Sequence, residues 1–204
     1  ARATRSPATA ERAAKASSLL PGRSPELLEQ ALSLSRYAVD QGKDHPFRYW
    51  FLIALGMAEY RSGNFDTAEK TLALADELSP KKGGEHPQAT ARLYRAMCLC
   101  RLGNTNGALL AFNSAAPRLL PQPEDELAPL KRADGNDLVI WLALREAGAL
   151  LGLPAPDSSP VQIWLSNLQH TASTHPEDIS KSMHLGLTQL WLHQDAEHAD
   201  LCRR

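Results

Sequence analysis

Two turns forty residues apart, Gly63-Asn64 and Gly103-Asn104, constrain this chain more than any other feature. Laying Gly63 on Gly103 also lays Ala68 on Ala108, Ala75 on Ala115, Met57 on Met97 and Arg61 on Arg101. Five coincidences at one shift mark an internal repeat. A repeat of this length is one supersecondary unit that buries its apolar face against its neighbours. Small residues belong where two helices cross, because only they let the backbones approach closely. Gly56, Ala68 and Ala75 supply them in the first unit, and Ala96, Ala108 and Ala115 in the second.

Helix signals follow one another with almost no strand-like alternation. Ser6-Pro7 and Ser24-Pro25 each set a capping residue before a proline at the first helical position, which predicts helices over 8–19 and 25–40. Further helices are expected over 47–62, 65–78, 88–102 and 105–116, with residues 81–87, KKGGEHP, as a loop. Residues 117–136 read as a long ordered loop or linker, after which Asp137 caps the apolar helix DLVIWLALREAGALL. Residues 153–160, rich in Pro and Ser, mark a boundary, and helices are expected beyond it at 160–171, 177–193 and 195–203.

Residues 55–69, LGMAEYRSGNFDTAE, with Pro80 closing the unit, resemble the helix-turn-helix heart of a tetratricopeptide repeat (TPR). Leu55, Gly56, Ala68, Ala75 and Pro80 match the pattern residue by residue; Phe65 takes its aromatic position after the turn and Leu72 another apolar one. In the second unit Phe112 matches, but Arg92 and Arg95 stand where the pattern takes large apolar residues, so the resemblance does not carry its packing on the first. The family resemblance implies an all-α fold. Its form is a TPR-like antiparallel helix-pair solenoid, an α-α superhelix, over residues 1–152. Residues 153–204 would form a C-terminal helical extension, in which LTQLWLHQDAEHA, with Ala199 as the small residue, looks like the start of a further degenerate repeat.

The wider string is similar to the C-terminal repeat tails of large bacterial serine/threonine protein kinases. ERAAKASSLLP, HPFRYWFLIALGMAEYRSGNFDTAE, RAMCLCRLGN and DLVIWLALREAGALL carry the likeness over about residues 10–152. In such tails a segment like WLHQDAEHADLCRR runs on into one like ATAERAAKA. This chain ends on the first and begins near the second, which suggests excision from a longer array.

No chemistry is expected in this chain. It lacks a Gly-rich phosphate loop, H-R-D, D-F-G, a Walker motif, H-E-x-x-H and G-x-S-x-G, the pieces that phosphoryl transfer and hydrolysis use. A net charge of −1 gives no bulk attraction to nucleic acid, and no apolar run nears the roughly 20 residues that span a bilayer. Cys98, Cys100 and Cys202 are an odd, sparse set that fits a reducing cytoplasm. Cys98 and Cys100 lie roughly 200° apart around a helix and cannot chelate one metal. His170, His175, His184, His193 and His198 are expected to be solvated, and neither a metal nor a cofactor is anticipated.

The expected function is therefore protein–protein interaction or scaffolding, with a protein or peptide partner. In the family the first helix of each pair lines the concave groove. That position nominates Trp50, Ile53, Met57, Tyr60 and Arg61, and forty residues on Leu93, Met97 and Arg101. Ile53, Met57 and Tyr60 share a face by their spacing, and the two arginines suit an acidic partner group. The same apolar stripe also suits burial by a neighbouring helix. A structural spacer is the first alternative. A ligand-sensing helical domain, its pocket between the repeats and the 137–152 and 160–193 helices, is the second.

Overall fold

Proline opens the first two helices. Pro7 and Pro25 stand at the first helical position, where a missing N–H costs no hydrogen bond, and start α1 (Pro7–Ser17) and α2 (Pro25–Gln41). Ser24 caps α2, its hydroxyl accepting from the Leu27 N–H at 3.4 Å, whereas Ser6 makes no side-chain cap despite the same dipeptide. The computed structural model describes residues 6–80, 85–115 and 135–153, and every regular element among them is an α-helix. After α2 come α3 (Arg48–Arg61), α4 (Phe65–Leu78), α5 (Glu85–Arg101), α6 (Thr105–Ala115) and α7 (Gly135–Leu150). Among the described residues no helix is long and apolar enough to cross a membrane. The expected helices beyond residue 153, with Ala199 and the five C-terminal histidines, lie outside the described residues.

Two boundaries differ from the sequence reading. The expected loop over 81–87 gives way to helix at Glu85, because Pro87 falls in the first turn, where N–H groups have no intrahelical partner. Likewise α7 begins at Gly135, so Asp137 does not cap it. Instead its buried carboxylate meets His86 Nε2 at 2.8 Å, tying the start of α7 to the start of α5.

The helix ends explain the repeat. Gly63 adopts φ +81°, its N–H donating to the Tyr60 carbonyl at 3.0 Å while the Asn64 N–H reaches back to the Glu59 carbonyl at 2.9 Å. This is the paired closure of a Schellman motif, which needs a left-handed residue that glycine supplies without a Cβ clash. Gly103, at φ +78°, repeats it with bonds to Cys100 and Leu99 of 3.0 and 2.9 Å. A third copy follows at Gly152, at φ +68°, with bonds of 3.2 and 2.9 Å to the Ala149 and Gly148 carbonyls. The helices α3, α5 and α7 thus end alike.

From α1 to α6 each helix packs on the next, α7 packs on α5, and α1, α3, α5 and α7 form a series in which each touches the following member. His86 meets Asp137 at one end of α5 and α7, and Cys100 Sγ lies 3.5 Å from the Leu150 carbonyl at the other, so the two run parallel. The three-residue turns after α3 and α5 return the chain antiparallel along each partner. Small residues make the crossings close. Ala68, Ala75, Ala96, Ala108 and Ala115 are fully buried, and a Cβ on Gly56 would stand 2.4 Å from Leu72 Cγ. One apolar core runs from Ile53 and Met57 of α3 through Leu72 of α4 and Leu93 and Met97 of α5 to Ile140, Ala143 and Ala147 of α7.

Arg92 and Arg95 do not weaken the seam between α4 and α5. Arg92 Nε donates to both Asp76 oxygens at 2.9 and 3.1 Å, and Arg95 donates to Glu69 Oε1 at 2.7 and 3.0 Å. An ionic seam replaces the apolar one that the repeat pattern takes there.

Candidate functional site

Five of the residues nominated for a partner groove are interior, Tyr60 at 5 % exposure among them. Ile53, Met57 and Leu93 are 0 % exposed and Met97 is 1 % exposed, all within the common core. The stripe has the spacing of a binding face, but α3 and α5 each have odd-numbered neighbours on both sides as well as their own hairpin partners, and these cover it. The expectation that Ile53, Met57, Leu93 and Met97 meet a partner is corrected: they hold the stack together. Trp50 is half-buried, with the Lys15 ammonium 4.6 Å over its ring. Arg101 alone of the eight is exposed.

Arg61 does hold an acid, but an internal one. Its Nη1 and Nη2 donate to the two Glu146 carboxylate oxygens at 2.5 and 2.6 Å, a bidentate pair joining α3 to α7. Nε and Nη2 also donate to the carbonyls of Ser18 and Leu19, just past α1, at 2.9 and 2.7 Å. The guanidinium lies over Tyr94 of α5, 5.6 Å from the ring centroid, and 5.2 Å from that of Tyr60. One side chain, 4 % exposed, therefore connects α1, α3, α5 and α7. Burial alone would make it easier to deprotonate; the Tyr94 hydroxyl and the Glu146 carboxylate more than reverse this and lock it as a cation.

The tyrosines around it are tuned by the same enclosure. Burial, reinforced by Glu146 and resisted by Arg61, pushes the Tyr94 hydroxyl up to about 12. Burial and Glu146 also raise Tyr60, while Arg61 and the Arg101 guanidinium beside the Tyr60 hydroxyl pull it down. Both stay protonated donors at neutral pH. Tyr60 stacks edge-on against Tyr94 at 5.8 Å and tilts against Phe65 at 5.6 Å.

Beside this network a cleft of about 190 Å³ opens, lined by Arg23, Tyr60, Arg61, Phe65, Arg101 and Glu146 among others. It is smaller than the roughly 300 Å³ from which sites for drug-sized ligands begin. A second cleft, about 290 Å³, lies between Glu11, Lys15, Phe47 and Trp50. Cys98 offers no nucleophile: burial, with Glu69 and Glu59 nearby, lifts its thiol to about 12. Among the described residues no three His, Cys, Asp or Glu side chains gather as metal ligands.

Sequence reasoning found Arg61 and missed its partners. Glu146 had one local signal, a charge beside Arg145 that interrupts the apolar run of α7, and Tyr94 had none. Comparison with family models, curated proteins and solved structures finds no significant match to this chain.

Proposed function

We propose that this chain is a TPR-like antiparallel helix-pair solenoid that binds or scaffolds other proteins without chemistry of its own. We further propose that it serves as the cytoplasmic regulatory or targeting tail of a bacterial serine/threonine protein kinase. The repeated helix closure carries the solenoid reading. The Schellman turns at Gly63 and Gly103 recur forty residues apart, each followed by a helix with alanine at the crossing positions. The kinase attachment rests on the resemblance over residues 10–152. Burial of the apolar stripe moves partner contact onto exposed side chains; Leu110 at 73 %, Phe47 at 54 % and Leu102 at 48 % are the most exposed large apolar ones among the described residues, and Leu102 and Leu110 lie together on the α5–α6 hairpin.

The test compares the immobilised full chain with a Leu102→Glu/Leu110→Glu variant of matched circular dichroism and Tm. Proteins retained from bacterial extract by the parent chain and lost by the variant support an interaction module. Identical sets overturn it and favour a structural spacer, the reading that burial of Ile53, Met57, Leu93 and Met97 independently supports.

A further inference from the structure

The cleft beside Arg61 carries more positive charge than the fold neutralises. Among the described residues three arginines line it, against a single acidic side chain, Glu146. Glu146 is already committed to Arg61, both of its oxygens accepting from that guanidinium. Arg23 and Arg101 have no ion-pair partner among the described residues. The Arg23 Nε is buried without any hydrogen-bond partner. A buried donor left unmade costs free energy that a bound acceptor recovers.

We infer that this cleft is an anion subsite in which Arg23 and Arg101 take the carboxylate of an acidic peptide segment. The inference rests on the interaction-module reading and names the partner's chemistry. A guanidinium presents its donors as a planar fork that matches a carboxylate. Tyr60, its hydroxyl kept protonated by burial, stands beside Arg101 as a neutral donor to the same group. Phe65 adds an apolar wall for the methylenes of an acidic side chain. A volume of about 190 Å³ admits a side-chain carboxylate with a few waters and is too small to enclose a nucleotide. Arg61 belongs to the wall and not to the subsite, because its donors already have acceptors.

The test is fluorescence anisotropy of a labelled Glu-rich hexapeptide with the full 204-residue chain, against a Gln-for-Glu peptide of the same length. The expected result is saturable binding of the Glu peptide alone, weakened as salt rises from 50 to 200 mM. Arg101→Gln, at an exposed position, should weaken it about tenfold, the loss of one charge-assisted hydrogen bond. Arg101→Lys should keep part of the affinity, and Arg23→Gln/Arg101→Gln should abolish it. Arg12→Gln, which removes an exposed arginine lining the other cleft, should leave it unchanged. Equal binding of both peptides, no saturable binding, or equal weakening by Arg12→Gln and Arg101→Gln would overturn the subsite. Displacement by inorganic phosphate at concentrations where acetate has no effect would overturn the carboxylate assignment in favour of a phosphate ligand. Loss of extract partners through Leu102→Glu/Leu110→Glu, with no peptide binding, would sink this inference and spare the module.

Discussion

Arg61 is the residue whose removal the fold should tolerate least. Truncating one partner of a buried ion pair leaves the other uncompensated, at a cost of about 3–5 kcal/mol; Glu146 keeps 24 % of its side chain exposed, so the lower end applies. Arg61→Ala should therefore cost about 3 kcal/mol by urea unfolding. Arg61→Met/Glu146→Met should recover much of it, because apolar replacement removes both desolvation penalties together. Additive losses in that cycle would show that the two residues act separately. Glu59 offers a test by pH. It is 5 % exposed, its Oε2 has no hydrogen-bond partner, and burial raises its pKa while Thr71 and Arg36 pull it down. A carboxyl whose folded pKa is raised destabilises the fold above that pKa, and the penalty disappears as pH falls through it toward the unfolded value. Glu59→Gln should thus raise Tm at pH 7 and lose this advantage by about pH 4.5, near the unperturbed carboxyl value. A pH-independent difference in Tm would refute the buried-charge explanation.

At the scale of elements, local chemistry was legible where it acts locally. The helix expected over 65–78 forms as Phe65–Leu78 because the left-handed Gly63 turns the chain before it and Pro80 follows it, although Asn64 makes no side-chain cap. The starts at Glu85 and Gly135 were missed because a first turn accepts proline, and because Asp137 answers to His86 on another helix. The glycines at the turns are the points where backbone conformation decides stability. Gly63→Ala and Gly103→Ala each force a Cβ into a left-handed residue, which should cost about 1–2 kcal/mol, and both positions lie in open space so no clash is added. Gly56→Ala acts differently: its Cβ meets Leu72, and the α3–α4 crossing must widen. Differential scanning calorimetry should find the two turn variants alike. Unequal losses would mean that the two turns are not equivalent copies.

For the whole molecule, the long-range connections set how far a local change is felt. Glu146 belongs to α7, yet the guanidinium that it orients also donates to carbonyls just after α1. Glu146→Ala should accordingly speed amide exchange over α1 as well as α7, while α6, which shares none of these bonds, changes least. Faster exchange confined to α7 would show that Arg61 keeps its α1 contacts unaided. The α4–α5 seam should respond to salt, since its ion pairs keep 15–27 % of their side-chain surface exposed.

Sequence alone determined the seven described helices apart from the starts of α5 and α7, the two turns forty residues apart and the positions of the small residues at the crossings, since each follows from residues adjacent in the chain. It also singled out Arg61 as a cation seeking an acid. Only the tertiary structure decided that the acid is Glu146, eighty-five residues away, and that the apolar stripe of α3 and α5 faces inward. Helical periodicity marks an apolar face but not what covers it, and an ion pair between distant helices exists only once their packing has brought the charges together.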